Sequence, residues 1–412
     1  DCSWPPNLEL FATLEKALLT YPTHRVLLSV PGGLVLNARK TISWSDEFSR
    51  LFCPISEKWA LTEDVKYSGK PGHDSRVTAL VVSSDGQFVA TASTDSTIIL
   101  WDARNAVILQ EWSAHNGGVL DIAFSTDNRH LMSAGQDGKV VIWDISGSSR
   151  QVAVLEGHTG SVTGCAWSSD GAYIASRDAS NAPRVWDGRK RQPLLLDGTD
   201  FKKTNVKPLF SPDSRWLLVH TWNECGVWDV GSGVYVPLQF QQDDDHLDFA
   251  SVVAFSPEST HLAVGYVRRG TIRIWDLATR RGPPLLLNAD KYGTYDVAFS
   301  PDGRLLLAAL SGGTAKIWDV HTGAIVRSLD GHTSMVCTAR FSQCGKYIAS
   351  SSATLRVWRA SDGSCLAALS DHGKPALHVA FTPDGTGLWS ATEKGAVLGR
   401  RLRDAVPDDV MF

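Results

Sequence analysis

The chain of 412 residues is short of long apolar runs. Leu305 to Leu310 is among the longest, far below the ~18 residues that a membrane-spanning helix requires. Cysteine is sparse and odd in number: the seven residues Cys2, Cys53, Cys165, Cys225, Cys337, Cys344 and Cys365 form no C-x-x-C and no regular pairing pattern. That excludes a disulfide framework and a thiolate zinc site. None of the nine asparagines opens an N-x-S/T sequon. Together these features point to a reducing compartment, the cytosol or the nucleus. Charge of one sign is missing too: 40 Lys and Arg stand against 44 Asp and Glu, a formal net charge of −4. Nothing in that balance suggests a nucleic-acid-binding surface. Phosphate loops, G-x-S-x-G, H-E-x-x-H and G-x-G-x-x-G are all absent, and the twelve histidines are spread along the chain. Accordingly no catalytic residue, metal or cofactor is expected.

Tryptophan, by contrast, is abundant and periodic. Of fifteen Trp, six begin a Trp-Asp pair, at Trp101, Trp143, Trp186, Trp228, Trp275 and Trp318, in steps of 42 to 47 residues. Trp358-Arg359 continues the series, and Arg400 stands at the next Trp position. A turn signal of the S-P-D-G kind keeps the same step: Ser84-Asp85-Gly86, Asp127-Asn128, Ser169-Asp170-Gly171, Ser211-Pro212-Asp213, Ser256-Pro257-Glu258, Ser300-Pro301-Asp302-Gly303, Cys344-Gly345 and Thr382-Pro383-Asp384-Gly385. Two independent markers in one register over eight units define a repeat. Each unit reads as four short strands. In the first, Arg76 to Ser83, Phe88 to Ala92, Thr97 to Trp101 and Ala106 to Trp112 are separated by turn residues, with no helical period. Four-stranded units of this length are propeller blades.

With its Gly-His, S-P-D-G and Trp-Asp marks, the segment from about 65 to 403 resembles the WD-repeat family. The resemblance implies a buried relay in each blade: a His before the first strand, a Ser or Thr on the second, an Asp in the next turn, and the Trp. The first blade matches with His73, Thr91, Asp95 and Trp101, the second with His115, Ser133, Asp137 and Trp143. The third keeps His158, Ser176 and Trp186 but has Ser180 at the Asp position. The seventh has His332, Ser350 and Trp358 with a turn two residues short. In the eighth, His372 and Ser390 remain while Lys394 and Arg400 replace Asp and Trp. Blades four to six lack the relay, with Leu218, Trp222, Arg269 and Gly312 among its positions. A His-Ser-Asp set invites a catalytic reading, but packing repeats once per structural unit and a catalytic triad does not.

The expected architecture is therefore all-β, a WD-repeat propeller of eight four-stranded blades, with seven as the alternative if one degenerate unit is misread. The last unit lacks a fourth strand of its own, so residues 64 to 68 are expected to close the ring by pairing with it. Three regions follow: an extension over 1–63, the propeller over 64–403 and a tail over 404–412. Within the extension, Leu8 to about Leu19 has helical spacing, and Val26 to Val30 with Leu34 to Asn37 reads as a hairpin around Pro31-Gly32-Gly33. The extension reads either as packing along the propeller or as the tail of an upstream domain, and the start at Asp1 fits the second slightly better.

By resemblance, the loops between second and third strands share one face with the blade-to-blade loops, and that face takes partners. Around blades three to six it gains Arg177, Phe201, Lys202, Trp222, Tyr266, Arg268, Arg269 and Tyr292, types enriched at interface hot spots. The expected function is a non-catalytic scaffold that recruits other proteins or peptides and needs no membrane. A reader of modified or charged peptides through the central opening is the alternative, with an enzyme third.

Overall fold

Along the chain, short β-strands and tight turns alternate in units that each fold back on themselves. The computed structural model describes residues 27–30, 34–37, 60–61 and 72–403, apart from 148–149, 181–182, 195–206, 221–224, 239–249, 267–269, 280–282, 290–292 and 370–375. No helix occurs among the described residues, so none there could cross a membrane. Eight antiparallel sheets follow one another, with strands in chain order from the centre outwards except for the outer strand of the eighth. Blade 1 consists of Val77–Val82, Phe88–Ser93, Thr97–Asp102 and Ile108–Ser113. The last three inner strands start blades 6, 7 and 8 at Thr294–Phe299, Thr338–Phe341 and Ala376–Phe381. Blades 3 and 4 are three-stranded among the described residues, with Phe210 bridging to Leu217 where blade 4's inner strand begins.

Eight hydrophobic clusters lie between the blades, one at each interface. Blades 1 and 2 share Ala90, Ile98 and Leu100 with Ile122, Val141 and Trp143; blades 4 and 5 share Trp216, Leu218 and Val227 with Val264, Tyr266 and Trp275. Every blade therefore buries both faces against its neighbours, and eight interfaces for eight blades require a closed ring. Each Trp of the Trp-Asp pairs faces the preceding blade. Trp101 accordingly packs into the cluster holding Trp389, Ala391 and Val397 of blade 8, with the two indole rings 5.9 Å apart.

Closure comes from both ends of the chain, as expected; residues 64 to 68 themselves lie outside the described residues. The pairing strand is Ala60–Leu61, whose register is Ala60 with Arg403 and Leu61 with Leu402; it adds the outer strand to Gly387–Thr392 and Val397–Arg403. The strand it joins runs on to Arg403, beyond the Trp-equivalent Arg400. Gly72 also bridges Ala396, and the His73 N–H donates to the Gly395 carbonyl at 3.0 Å. In the extension, Leu27–Val30 pairs with Leu34–Asn37 as the expected hairpin, whereas the expected helix lies outside the described residues.

Candidate interaction surface

The relay is built where expected in the first two blades. In blade 2, the Ser133 hydroxyl accepts from Trp143 Nε1 at 2.8 Å and meets His115 Nε2 at 2.7 Å, while His115 Nδ1 lies 2.8 Å from Asp137 Oδ1. Burial lowers the His115 pKa, and the Asp137 carboxylate offsets only part of that. In blade 1, Thr91 Oγ1 takes both the Trp101 N–H (2.9 Å) and His73 Nε2 (2.8 Å), and Thr97 and Asp95 face the other ring nitrogen. Thr91 and Ser133 are both 0% exposed, so neither hydroxyl can reach a substrate. The set satisfies buried polar groups, which is its reason for existing.

Blade 3 departs from the expectation drawn from Ser180. Its His, Ser and carboxylate are joined, with Asp178 as the carboxylate: His158 Nδ1 lies 3.1 Å from Asp178 Oδ2 and Nε2 lies 2.5 Å from Ser176 Oγ. Ser180 donates through its N–H and hydroxyl to Asp178 Oδ1, so acid and hydroxyl have exchanged places across the turn. Blade 7 keeps Ser350 between His332 and Trp358 (2.6 and 2.7 Å), but Thr354, 3.5 Å away, stands where a carboxylate would be. Without that anion, burial and the Arg356 charge push the His332 pKa down to about 3. In blade 8, Arg400 donates to Ser390 Oγ at 3.1 Å in place of the indole; Lys394 is exposed and His372 lies outside the described residues. Blades 5 and 6 carry Val264 and Ala308 at the hydroxyl position, buried in the interfaces; in blade 4 the register places Val219 there, and Leu218, expected at that position, packs instead against blade 5. Replacing both partners with apolar groups avoids an orphaned donor.

The two faces differ in construction. On one, the turns between first and second strands interlock around the ring. Asn128, Ser214 and Ser259 hold left-handed φ values of 54°, 62° and 60°, where other turns use glycine. Each reaches the preceding blade: Asn128 Oδ1 accepts from the Ser84 N–H (3.2 Å), Ser214 Oγ from the Asp170 N–H (2.9 Å) and Ser259 Oγ from the Asp213 N–H (3.0 Å). The opposite face carries the blade-to-blade loops, which meet the second-to-third-strand turns, as in the Asp74 N–H to Asp95 bond at 2.8 Å. Two large apolar side chains are exposed there, Tyr295 (40%) and Met335 (44%).

Of the sector inferred from sequence, Phe201, Lys202, Trp222, Arg268, Arg269 and Tyr292 lie outside the described residues. Arg177 is half-buried and donates to Thr163 Oγ1. Tyr266 is 2% exposed, packed between blades 4 and 5 with the Arg273 guanidinium 5.0 Å from its ring centre. It supports that face from beneath rather than lining it.

Sequence reasoning missed a ring at the centre. Four residues before the Ser or Thr that opens each turn, every blade places one residue on its inner strand: Ala79, Asp121, Gly164, Lys207, Val252, Asp296, Thr338 and His378. A β-bulge precedes this position in blades 1, 2, 3, 5, 6 and 8, and a bulge re-aims the side chain beside it. Asp121 accepts from the Cys165 N–H at 3.0 Å and from Lys207 Nζ at 2.9 Å. Burial opposes the Lys207 charge, but Asp121 outweighs it and leaves the amine's pKa raised. Asp296 repeats the backbone contact with Ala339 (3.1 Å) and pairs with Arg340 of the adjoining blade. Aligning the inner strands on the turn serine would have revealed the ring.

Comparison with known proteins places these observations. The model of the WD domain, G-beta repeat family matches residues 66–102, 106–144, 149–187, 241–276, 287–319 and 323–359, over half of the chain. Apoptotic protease-activating factor 1 of Rattus norvegicus is 24% identical over 81% of this chain and 27% of its own length. The transcriptional corepressor LEUNIG_HOMOLOG of Arabidopsis thaliana is 25% identical over 57% of this chain and 29% of its own. A human WD repeat and SOCS box-containing protein 1 is 38% identical over a shorter stretch, 24% of each. The chain thus spans about a quarter of the length of these curated relatives. Among solved structures, the computationally designed Ika8 protein superimposes with a TM-score of 0.68 and 25% identity, covering 80% of this chain and 97% of that one. Propellers of this kind generally serve as protein-interaction scaffolds. Repeat, blade and relay coincide in the same residues, and the chain belongs to the WD domain, G-beta repeat family.

Proposed function

We propose that this propeller is a non-catalytic scaffold that recruits protein partners through the face carrying its blade-to-blade loops. The observation that carries the reading is the type of side chain exposed on this face, Tyr295 and Met335, where the opposite face exposes aliphatic residues such as Val107 and Ile325 and is knitted by polar turn-to-turn bonds. Exposed aromatic and Met side chains are types enriched at interface cores. The free cysteines Cys165, Cys225, Cys337, Cys344 and Cys365 accord with action in the cytosol or nucleus. In the alternative, a reader of modified or charged peptides through the central opening, the ligand would meet the Asp121–Lys207 pair on one side of it.

The test is affinity capture with the intact chain beside a Tyr295→Asp/Met335→Asp double variant, both shown to be folded by circular dichroism. The scaffold reading expects a defined set of proteins that the variant loses. Equal capture by both baits would remove this face as the contact site.

A further inference from the structure

We propose that Lys207, Asp121 and Gly164 form a latch that ties blade 4 to blade 2 across blade 3, standing in for the relay that blade 4 lacks. The inner-strand ring supplies the geometry. Asp121 and Lys207 occupy the same position in blades 2 and 4, so their side chains can meet only by crossing the equivalent position of blade 3, and that position is Gly164. A Cβ added at Gly164 would lie 3.2 Å from Lys207 Cγ, 3.4 Å from Lys207 Cβ and 3.0 Å from Pro208 Cδ. Absence of a side chain is what lets the lysine lie flat over blade 3 to Asp121. The Asp121 carboxylate is also anchored to blade 3 by the Cys165 N–H. One acid therefore binds three consecutive blades.

Asp296 shows the contrast. It has the same backbone anchor in blade 7, but Thr338 fills the crossing position there, and its cation, Arg340, comes from the adjacent blade. Blade 4 needs the additional tie: Val219 stands at the relay's hydroxyl position, and its sheet is three-stranded among the described residues. On the turn face the same sector is tied blade to blade by Ser214 and Ser259, as blades 1 and 2 are by Asn128. The latch is independent of which partner the loop face binds.

Cys165 reports on it directly. Its thiol is buried between blades 2 and 3, and its own N–H is part of the latch. The experiment measures the N-ethylmaleimide modification rate of each cysteine in the full-length chain by peptide mass spectrometry. Lys207→Met and Gly164→Ala should each accelerate modification of Cys165 roughly tenfold, the factor expected for losing one charge-assisted hydrogen bond. The double variant should be no faster than either single one, and Lys207→Arg should stay near the parent. Cys365 in blade 7 should keep its rate throughout. An unchanged Cys165 rate in both single variants would overturn the latch. So would a parallel rise at Cys365, which would show general loosening rather than a local tie.

Discussion

Removing one hydroxyl should open blade 2. Ser133 Oγ stands between Trp143 Nε1 at 2.8 Å and His115 Nε2 at 2.7 Å, and it is fully buried. Ser133→Ala leaves an indole N–H and an imidazole nitrogen without that partner in a buried interface. Each orphaned buried group costs about 1–3 kcal/mol, so the variant should lose about 2–4 kcal/mol. Some of that returns in the Trp143→Phe background, where only the imidazole is orphaned; the two substitutions should couple by about 1 kcal/mol. The assay is native-state hydrogen exchange on the strands His130–Gly135 and Val140–Asp144. A loss of about 3 kcal/mol corresponds to a fall in protection on the order of a hundredfold. Blade 6, which places the apolar Ala308 at the same position, should keep its protection. A change below about 0.5 kcal/mol in blade 2, or an equal loss in blade 6, would refute the view that the relay holds each blade from within.

Other consequences can be measured on the same chain. His332 and His378 have pKa values pushed down to about 3 and about 4, chiefly by burial, from the ordinary 6.5. The folded state then binds fewer protons than the unfolded one below pH 6.5, so stability should be level above that value and fall as pH drops towards about 3. His332→Gln should flatten part of that slope in urea titrations run at several pH values. Gly135→Ala would place a Cβ 2.2 Å from His115 Nδ1 and should destabilise by about 2–4 kcal/mol through the displaced imidazole. Gly160→Ala, with nothing within 4 Å, should change thermal stability by less than about 0.5 kcal/mol. At Ser214, alanine keeps the left-handed strain and loses the bond to Asp170, whereas glycine loses the bond but relieves the strain. Ser214→Gly should therefore be about 1 kcal/mol more stable than Ser214→Ala in chemical denaturation.

Much of the fold was legible because the repeat writes it eight times. Trp-Asp spacing set the blades, and turn residues set the strand ends to within a residue or two. Closure by a strand from the N-terminal side was foreseen: Ala60–Leu61 pairs with Leu402 and Arg403, just upstream of the expected residues 64 to 68, which lie outside the described residues. Blade 3 was misread because Asp178 and Ser180 exchange places in the turn, and a position-by-position comparison cannot see an exchange that preserves the contact. Tyr266 was read as surface because aromatics in that sector suggest hot spots; it instead fills the space left where blades 4 and 5 carry no relay. The Asp121–Lys207 pair was invisible for another reason. Its partners are 86 residues apart, and only the closed ring brings them within 2.9 Å.

The most direct test of a face-specific scaffold is hydrogen exchange on the chain with and without a captured partner. Binding should slow exchange in the blade-to-blade loops around Gly293–Tyr295 and His332–Cys337 and leave the turns at 84–86, 127–128 and 169–171 unchanged. Protection confined to those turns, or to the outer strands, would contradict the account.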